Sequence, residues 1–207
     1  MKRQKDGRGQ LIMRKAKVER KTKETQITVE MNLDGSGNYS IKTPIPFFDH
    51  MLSLLCKHGL LDVRLHAKGD VEIDDHHTVE DTGIVLGKTL KAALADMKGI
   101  TRYGQASVPM DETLAEVSLD ISGRQYLVYN VAFPKKGKLR DFDPDLIEDF
   151  LQAFSSGAGI TLHVNVLYGR NTHHIIEAVF KALGRALKQA VALDPRAKGV
   201  PSTKGSI

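Results

Sequence analysis

Alternating apolar and polar positions predict a β-strand at matching places in the two halves of the chain. The alternation is typical of strands with one buried face. Each strand then runs through a glycine-bearing turn into a second extended segment, around residues 39–41 or 126–133. We therefore predict that each half opens with a β-hairpin. The apolar positions of the first strands are Ile27, Val29, Met31 and Leu33 in one half and Ala115, Val117, Leu119 and Ile121 in the other.

A period of 3.6 residues predicts a long amphipathic helix at the end of each half. Before it come a segment of helical character, 50–57 or 144–154, and a strand-like run, 61–67 or 159–168. We expect the apolar stripes of the two long helices to pack against each other. The stripes consist of Val79, Leu86, Leu90, Ala93, Leu94 and Met97, and of Ile176, Val179, Phe180, Leu183, Leu187 and Val191.

The two halves are copies of each other. The string His76-His77-Thr78-Val79-Glu80 returns as His173-His174-Ile175-Ile176-Glu177, and eight of eighteen positions agree between 76–93 and 173–190. Chance would give about one agreement at ordinary residue frequencies. We predict an internally duplicated α+β fold with half-repeats 14–100 and 101–195, packed as one pseudo-symmetric domain. A basic, disordered extension is expected over residues 1–13 and a C-terminal tail over 196–207.

Composition describes a globular chain that can bury a core, since 41% of its 207 residues are hydrophobic. The single cysteine, Cys56, lies in an apolar run and is expected to be a buried structural thiol. No apolar stretch approaches the roughly 18 residues of a membrane span, and no secretory signal is visible. We therefore expect a cytoplasmic protein.

The net charge of +5 is concentrated near the start of the chain. One interpretation is affinity for nucleic acid, and the other is a solvated basic arm or a site for a small anion. The second is favoured, because the segment lacks aromatic residues on which bases could stack. The basic residues are Lys2, Arg3, Lys5, Arg8, Arg14, Lys15, Lys17, Arg20, Lys21 and Lys23.

The repeated histidine motif predicts metal binding. On a helix, His76 and Glu80 share one face, whereas His77 points about 100° away, toward a different ion. The same spacing recurs in the second half. Imidazole and carboxylate donors without thiolates suit Mn²⁺, Fe²⁺, Co²⁺ or Zn²⁺ and disfavour a closed structural zinc site. Two further residues, His50 and Asp149, precede the motifs at similar distances and are candidates to complete the ligand shells; for Asp149 a surface acid is the alternative.

Several ordered motifs give the chain, from about Arg14 to Ile207, a resemblance to the imidazoleglycerol-phosphate dehydratase family. They are residues 47–52 (FFDHML), 75–83 (DHHTVEDTG), 101–104 (TRYG), 161–163 (TLH), 171–177 (NTHHIIE) and 201–205 (PSTKG). The resemblance implies helices sandwiched between two four-stranded mixed sheets, the fold class called ribosomal protein S5 domain 2-like. It also implies a 24-subunit assembly with active sites between subunits.

The resemblance further implies two Mn²⁺ ions per site and a set of site residues. One departure is that many relatives have histidine where this chain has Asp149, although a carboxylate still suits a hard divalent ion. Glu24 is the candidate acid or base, with His77 and His174 as its catalytic partners. Substrate contacts are expected from these three residues and from His50, His76, Glu80, Arg102, Arg124, His173, Glu177, Ser202 and Lys204. The implied metal ligands are His50, His76, His77, Glu80, Asp149, His173, His174 and Glu177.

The activity implied is loss of water from imidazole glycerol phosphate in histidine biosynthesis. No carbonyl group activates the proton that departs, so we hypothesise that metal ions on the ring nitrogens help the ring to expel hydroxide. Guanidinium and ammonium groups would hold the phosphate. Two alternatives remain: a metal-dependent phosphoesterase, and a non-catalytic metalloprotein that binds nucleic acid through its basic start. We predict a small-molecule substrate, self-association, and neither a nucleic-acid nor a membrane partner.

Overall fold

Each half of the chain contributes four strands and two helices, in the same order. The structure is a computed structural model that describes residues 14–134 and 137–207. The first half contains β1 (Lys15–Lys21), β2 (Thr25–Asn32), β3 (Tyr39–Lys42), α1 (Pro46–Gly59), β4 (Asp62–Gly69) and α2 (His76–Leu94). The second contains β5 (Tyr103–Met110), β6 (Thr113–Asp120), β7 (Tyr126–Asn130), α3 (Leu146–Ala158), β8 (Thr161–Tyr168) and α4 (Thr172–Ala190).

The two sheets have the same mixed topology, β1-β2-β4-β3 and β5-β6-β8-β7. In each, the first three strands are antiparallel and the edge strand β3 or β7 runs parallel to its neighbour. The predicted hairpins of β2 with β3 and of β6 with β7 are therefore wrong, since β4 or β8 lies between them. The hairpins are β1–β2 and β5–β6.

The glycine-bearing turn after β2 shows why no hairpin closes there. The carboxylate of Asp62, at the start of β4, accepts the backbone N–H groups of Ser36 and Asn38 at 2.9 Å each. A Cβ on Gly35 would lie 2.5 Å from atoms of the same aspartate. The turn is thus held over the beginning of β4, and the chain enters β3 on the far side of that strand.

From Lys15 to Lys21 the expected basic arm is instead the edge strand β1, in which Lys15, Lys17 and Lys21 are exposed to solvent. Arg14, only 8% exposed, binds the carboxylate of Asp34 and the carbonyl of Val191. The guanidinium of Arg20 lies 2.9 Å from the carboxylate of Asp81 on α2. The guanidinium groups of Arg14 and Arg20 therefore form ion pairs within the fold. Residues 1–13 lie outside the described residues, as does the prediction made for them.

The helices lie between the two sheets around a single core, which confirms the predicted sandwich. Helix α2 packs on β1 and β2, and α4 packs on β5 and β6. Both predicted stripes are buried except at Met97, which lies beyond the end of α2 with a φ of 56°. The expected pairing of the stripes is wrong, because α2 packs chiefly against α3 and α4 against α1. Each long helix is therefore covered by the short helix of the other half.

Cys56 is buried in α1, as predicted. Burial raises the pKa of its thiol to about 12. Within residues 14–134 and 137–207, every helix is too short or too polar to cross a bilayer.

Two glycines make these helix crossings possible. A Cβ on Gly87 of α2 would lie 2.4 Å from the carbonyl oxygen of Phe154 on α3. A Cβ on Gly184 of α4 would lie 2.5 Å from the carbonyl oxygen of Leu55 on α1. Gly87 and Gly184 are equivalent in the sequence repeat, so the two crossings are equivalent too.

Replacing either crossing glycine by alanine should destabilise the fold. At an open helical position this change is favourable by about 1 kcal/mol, but here the methyl group meets backbone, and overpacking costs about 1–3 kcal/mol. Denaturant unfolding of Gly87→Ala and Gly184→Ala measures the effect. The exposed helical change Lys188→Ala is the control and should stay within about 0.5 kcal/mol of the wild type. Stabilisation by either glycine variant would contradict the close crossing.

Candidate metal centres and anion-binding cleft

Three predicted ligands meet where α1 crosses the start of α4. The Nε2 atom of His50 lies 3.3 Å from Oε2 of Glu177, and Nε2 of His173 lies 3.2 Å from the same oxygen. One donor atom from each of the three residues lies within 4.8 Å of the others. We call this set, His50, His173 and Glu177, the His50 cluster. It joins one ligand from the first half of the chain to two from the second.

A lysine orients the carboxylate of the His50 cluster. Lys181, one turn further along α4, places its Nζ 2.6 Å from Oε1 of Glu177. Burial would raise the pKa of Glu177, but the contacts with Lys181 and the imidazoles outweigh it and hold that pKa below its ordinary value. The other oxygen, Oε2, is left facing both histidine rings. The cluster is therefore arranged as three donors around a common point.

The equivalent set at the start of α2 consists of His76, Glu80 and Asp149, here called the Asp149 cluster. Nδ1 of His76 lies 3.5 Å from the Asp149 carboxylate, and Nε2 lies 3.8 Å from that of Glu80. The ring thus stands between two carboxylates and turns a different nitrogen to each. Asp149, on α3, reaches His76 across the contact between α2 and α3. The side chain of Asp149 is 44% exposed.

Polar side chains fix where both ligand-bearing helices begin. Asn171 accepts the backbone N–H groups of His173 and His174 with its side-chain oxygen. Asp74 accepts the N–H of His76 at 2.8 Å. Such caps satisfy donors that the first turn of a helix leaves unpaired. These hydrogen bonds therefore fix the first turn of each helix, in which the histidines stand.

The second histidine of each motif is held apart from both clusters by a carboxylate. Nδ1 of His77 lies 3.1 Å from Asp70, and Nδ1 of His174 lies 2.8 Å from Glu112. The contact with Asp70 raises the pKa of His77, while that with His174 lowers the pKa of Glu112 to about 2. A carboxylate on one ring nitrogen fixes the direction of the other, which is the usual arrangement of metal-binding histidines. Among the described residues, Nε2 of His77 has no carboxylate within 4.0 Å, whereas Nε2 of His174 lies 3.9 Å from the exposed carboxylate of Asp111.

The two orienting carboxylates come from different places in the repeat. Glu112 stands in the β5–β6 turn, and its counterpart in the β1–β2 turn is Glu24. Glu24 is exposed, and only its charge reaches His77. Because Asp70 takes over the orienting role in the first half, the Glu24 carboxylate is not engaged in holding that ring.

The residues predicted to hold a phosphate line one cleft. Arg102, Arg124, Ser202 and Lys204 border a cavity of about 930 Å³ together with Lys91 of α2. The C-terminal tail 201–207 forms much of its wall. Two arginines and two lysines make the cleft strongly positive, a setting in which phosphate oxygens are readily bound.

Arg102 is fixed in the wall of this cleft. Its guanidinium binds both oxygens of Asp120, at 2.6 and 3.0 Å, and donates to the carbonyl of Pro201 at 2.8 Å. A guanidinium has five N–H donors, so two remain for a ligand. Arg102 therefore ties the tail to the second sheet and still presents its charge to the cavity.

The cleft and the metal clusters stand at opposite ends of the long helices. Lys91, which lines the cleft, follows His76 by fifteen residues on α2, a separation of about 22 Å at 1.5 Å per residue. On the other long helix, Arg102 donates its backbone N–H to the carbonyl of Ala190, the last residue of α4. The same small molecule cannot reach both regions of a single chain.

The donor sets fit a divalent transition metal. Both clusters offer imidazole nitrogen and carboxylate oxygen without thiolate, a combination that suits Mn²⁺, Fe²⁺, Co²⁺ or Zn²⁺. In the His50 cluster one donor atom from each residue already lies within 4.8 Å of the others. In the Asp149 cluster the two carboxylates face different nitrogens of His76. Neither cluster supplies more than three residues, so each leaves coordination positions for a further ligand. The Nε2 atoms of His77 and His174 are donors of the type that could fill them.

Sequence reasoning missed Asp70, Glu112 and Lys181. Glu112 could have been found, because the repeat aligns it with Glu24. Lys181 stands at i+4 from Glu177, a helical ion-pair spacing that was also visible. Asp70 follows β4 and carried no signal, since its position beside His77 depends on how β4 meets α2.

Comparison with known proteins gives a consistent result. The family model described as imidazoleglycerol-phosphate dehydratase matches residues 43–187. An imidazoleglycerol-phosphate dehydratase from Clostridium botulinum is 62% identical over 192 residues, which cover 93% of this chain and 97% of the relative. One from Geobacter metallireducens is 58% identical over 196 residues, covering 95% of this chain and all of the relative.

Solved structures agree in fold. The crystal structure of imidazoleglycerol-phosphate dehydratase from Staphylococcus aureus is 40% identical, has a TM-score of 0.78, and covers 87% of this chain and 99% of that one. The structure of the Pyrococcus furiosus protein, in complex with (S)-C348, is 37% identical with a TM-score of 0.79, covering 92% of this chain and all of that one. With its sequence matched over most of its length and its fold shared, the chain belongs to the imidazoleglycerol-phosphate dehydratase family.

Proposed function

We propose that the protein is a hydro-lyase that removes water from imidazole glycerol phosphate to give imidazole acetol phosphate, a step of histidine biosynthesis. The observation that carries this proposal is the pair of equivalent histidine–carboxylate clusters in a member of this family. The substrate presents an imidazole ring to them and a phosphate to the cationic cleft. The protein offers matching groups for both ends of the molecule.

The His50 and Asp149 clusters would each hold one divalent ion, for which Mn²⁺ is our choice. Such an ion supplies a Lewis acid and a template for the imidazole ring. His77 and His174, turned outward by Asp70 and Glu112, would complete the ligand shells. At the other end of the substrate, Arg124 and Lys204 would bind the phosphate by charge, with Ser202 completing its hydrogen bonds.

Glu24 is the proposed acid or base for the proton on the side chain of the substrate. It is an exposed carboxylate in the β1–β2 turn, and its charge acts on His77, which supports a role at the ring-binding end of the proposed site. Its counterpart Glu112 is held by four hydrogen bonds, from Nδ1 of His174, the backbone N–H groups of Arg170 and Asn171, and the hydroxyl of Thr113. Of the two, Glu24 alone retains the freedom to exchange a proton with a ligand.

Distances within one chain support an active site shared between copies. Imidazole glycerol phosphate spans less than about 10 Å at ordinary bond lengths, whereas the clusters and the cleft are separated by about 22 Å along α2. A second copy must therefore bring its cleft to the clusters of the first. The 24-subunit assembly implied by the resemblance is our proposal for how the copies are arranged.

The sequence also left open a metal-dependent phosphoesterase. Family membership favours the dehydratase. The two activities differ in their products, since the phosphoesterase would release inorganic phosphate and the dehydratase would retain the ester. Product analysis with imidazole glycerol phosphate and Mn²⁺ is the direct test. Release of phosphate with an intact glycerol side chain would reject the proposal.

Glu24→Gln should bind substrate with little change in KM and lower kcat by about 10²- to 10⁴-fold, the usual contribution of general acid–base catalysis. Steady-state kinetics with saturating Mn²⁺ measures both constants. Glu19→Gln, which removes an exposed carboxylate from the neighbouring strand β1, is the matched control and should behave as the wild type. Full turnover by Glu24→Gln would remove this residue from the mechanism.

Two inactive variants should restore activity to each other when they are co-expressed. One carries Arg124→Ala and Lys204→Ala in the cleft, and the other carries His76→Ala and His173→Ala in the clusters. Mixed particles contain some sites with an intact cleft from one chain and intact clusters from another, so a fraction of wild-type activity should return. Mixed assembly is verified by native mass spectrometry with distinguishable tags. Verified mixed particles that stay inactive would contradict a shared site.

Replacing His77 or His174 by Ala should lower the bound metal and dissociate the particle, because metal binding can contribute to association free energy. Metal analysis and native mass report the two effects separately. A chelator should likewise remove metal from the wild type and dissociate its particle. Adding Mn²⁺ should restore both the metal content and the native mass. His66→Ala, at an exposed position on β4, serves as control. An unchanged metal content in both variants would exclude these rings as ligands.

A further inference from the structure

The two candidate metal clusters stand at equivalent helix crossings but differ in charge and in how their donors are arranged. His50 stands five residues before Leu55, whose carbonyl meets Gly184, and Asp149 stands five residues before Phe154, whose carbonyl meets Gly87. His50 and Asp149 therefore occupy equivalent positions on the crossing helices. A neutral imidazole in one cluster is replaced by a carboxylate in the other.

The two clusters also differ in a neighbouring lysine, and this difference again makes the Asp149 cluster the more negative. Lys181 lies 2.6 Å from the Glu177 carboxylate of the His50 cluster. Its equivalent in the sequence repeat is Ile84 of α2. Among residues 14–134 and 137–207, no lysine or arginine lies within 4.0 Å of the carboxylate of Glu80 or of Asp149. The Asp149 cluster thus has no ammonium partner of the kind that the His50 cluster has.

The formal charges that a metal ion meets are consequently unequal. In the His50 cluster the charge of one carboxylate is cancelled by the Lys181 ammonium. In the Asp149 cluster two carboxylates stand uncompensated on either side of His76. A difference of two charges at ligand distance favours cation binding at the Asp149 cluster, although its side chains are 43–48% exposed and water weakens the attraction.

From this asymmetry we propose that the two clusters bind divalent metal with unequal affinity, the Asp149 cluster being the tighter and the His50 cluster the weaker. The proposal rests on the metal-dependent function proposed above and assigns Asp149 as a ligand rather than a surface acid. A carboxylate-rich shell also favours hard ions such as Mn²⁺, whereas an imidazole-rich shell favours softer ions. The weaker cluster is the one in which Lys181 competes with the ion for Glu177.

The experiment follows metal loss from the intact holoprotein. Wild-type protein is dialysed against buffers of decreasing free Mn²⁺, and bound Mn²⁺ per chain is counted by elemental analysis, with native mass recorded at each point. Metal content should fall in two steps separated by about tenfold or more in free Mn²⁺, since changing groups around a metal commonly alters affinity 10- to 100-fold. The step that persists to the lowest free Mn²⁺ belongs to the Asp149 cluster.

Four variants assign the steps. Asp149→Asn and Ile84→Lys should each move the later step to about tenfold higher free Mn²⁺ and leave the earlier step in place. Lys181→Met should move the earlier step to lower free Mn²⁺. Glu148→Gln removes a neighbouring exposed carboxylate that acts on Tyr129 instead, and should change neither step. The side chains of His50 and Asp149 are nearly half exposed, so the fold tolerates changes there.

The outcomes separate this inference from the proposed function. Wild-type protein that dehydrates the substrate but loses its metal in one step would overturn the inference alone, as would an unmoved later step in Asp149→Asn. Protein that binds no metal at either cluster would overturn both. Loss of Mn²⁺ in two steps, each moved by its own variants as described, would support unequal affinities of the two clusters. This holds whether or not the protein dehydrates imidazole glycerol phosphate.

Discussion

The close contact of helix backbones at Gly87 and Gly184 is the constraint on which the metal clusters depend. Because these residues lack a Cβ, the carbonyls of Phe154 and Leu55 approach the long helices directly. The crossing fixes which residue of each short helix faces the first turn of the long helix. Each cluster therefore takes one residue from one half of the chain and two from the other, and neither half alone contains a complete set.

The two halves share one arrangement of strands and helices, but the side chains around their histidine motifs differ. The second histidine of each motif is oriented by a carboxylate, but Asp70 follows β4 whereas Glu112 stands in a strand turn. Because Asp70 orients His77, the Glu24 carboxylate is not needed to hold that ring. A backbone crossing is hard to alter because it is packed on both sides, while an exposed ligand can change without disturbing the core.

The position of the positive cleft bears on how copies of the chain would associate. It is built where the C-terminal tail meets the second sheet, at the far ends of the helices that begin with metal ligands. Under the proposed function, a chain that separates the ring-binding clusters from the phosphate cleft by about 22 Å along a helix would gain activity by association. The distance between clusters and cleft in one chain thus connects the fold of the monomer to the need for more than one copy.

The sequence by itself determined the duplication, both long helices, the buried stripes and the ligand types, because periodicity and repeated motifs are local properties. The residues of the cleft were predicted only through the family resemblance, since single arginines and lysines form no pattern of their own. It could not decide that β4 separates β2 from β3, or that α2 packs on α3, since both depend on contacts between residues far apart in the chain. The role of Asp70 beside His77 and the approach of His50 to Glu177 also emerged only in three dimensions. Their physical reason is that a side chain acquires its partner, and with it its charge environment, only when the helices cross.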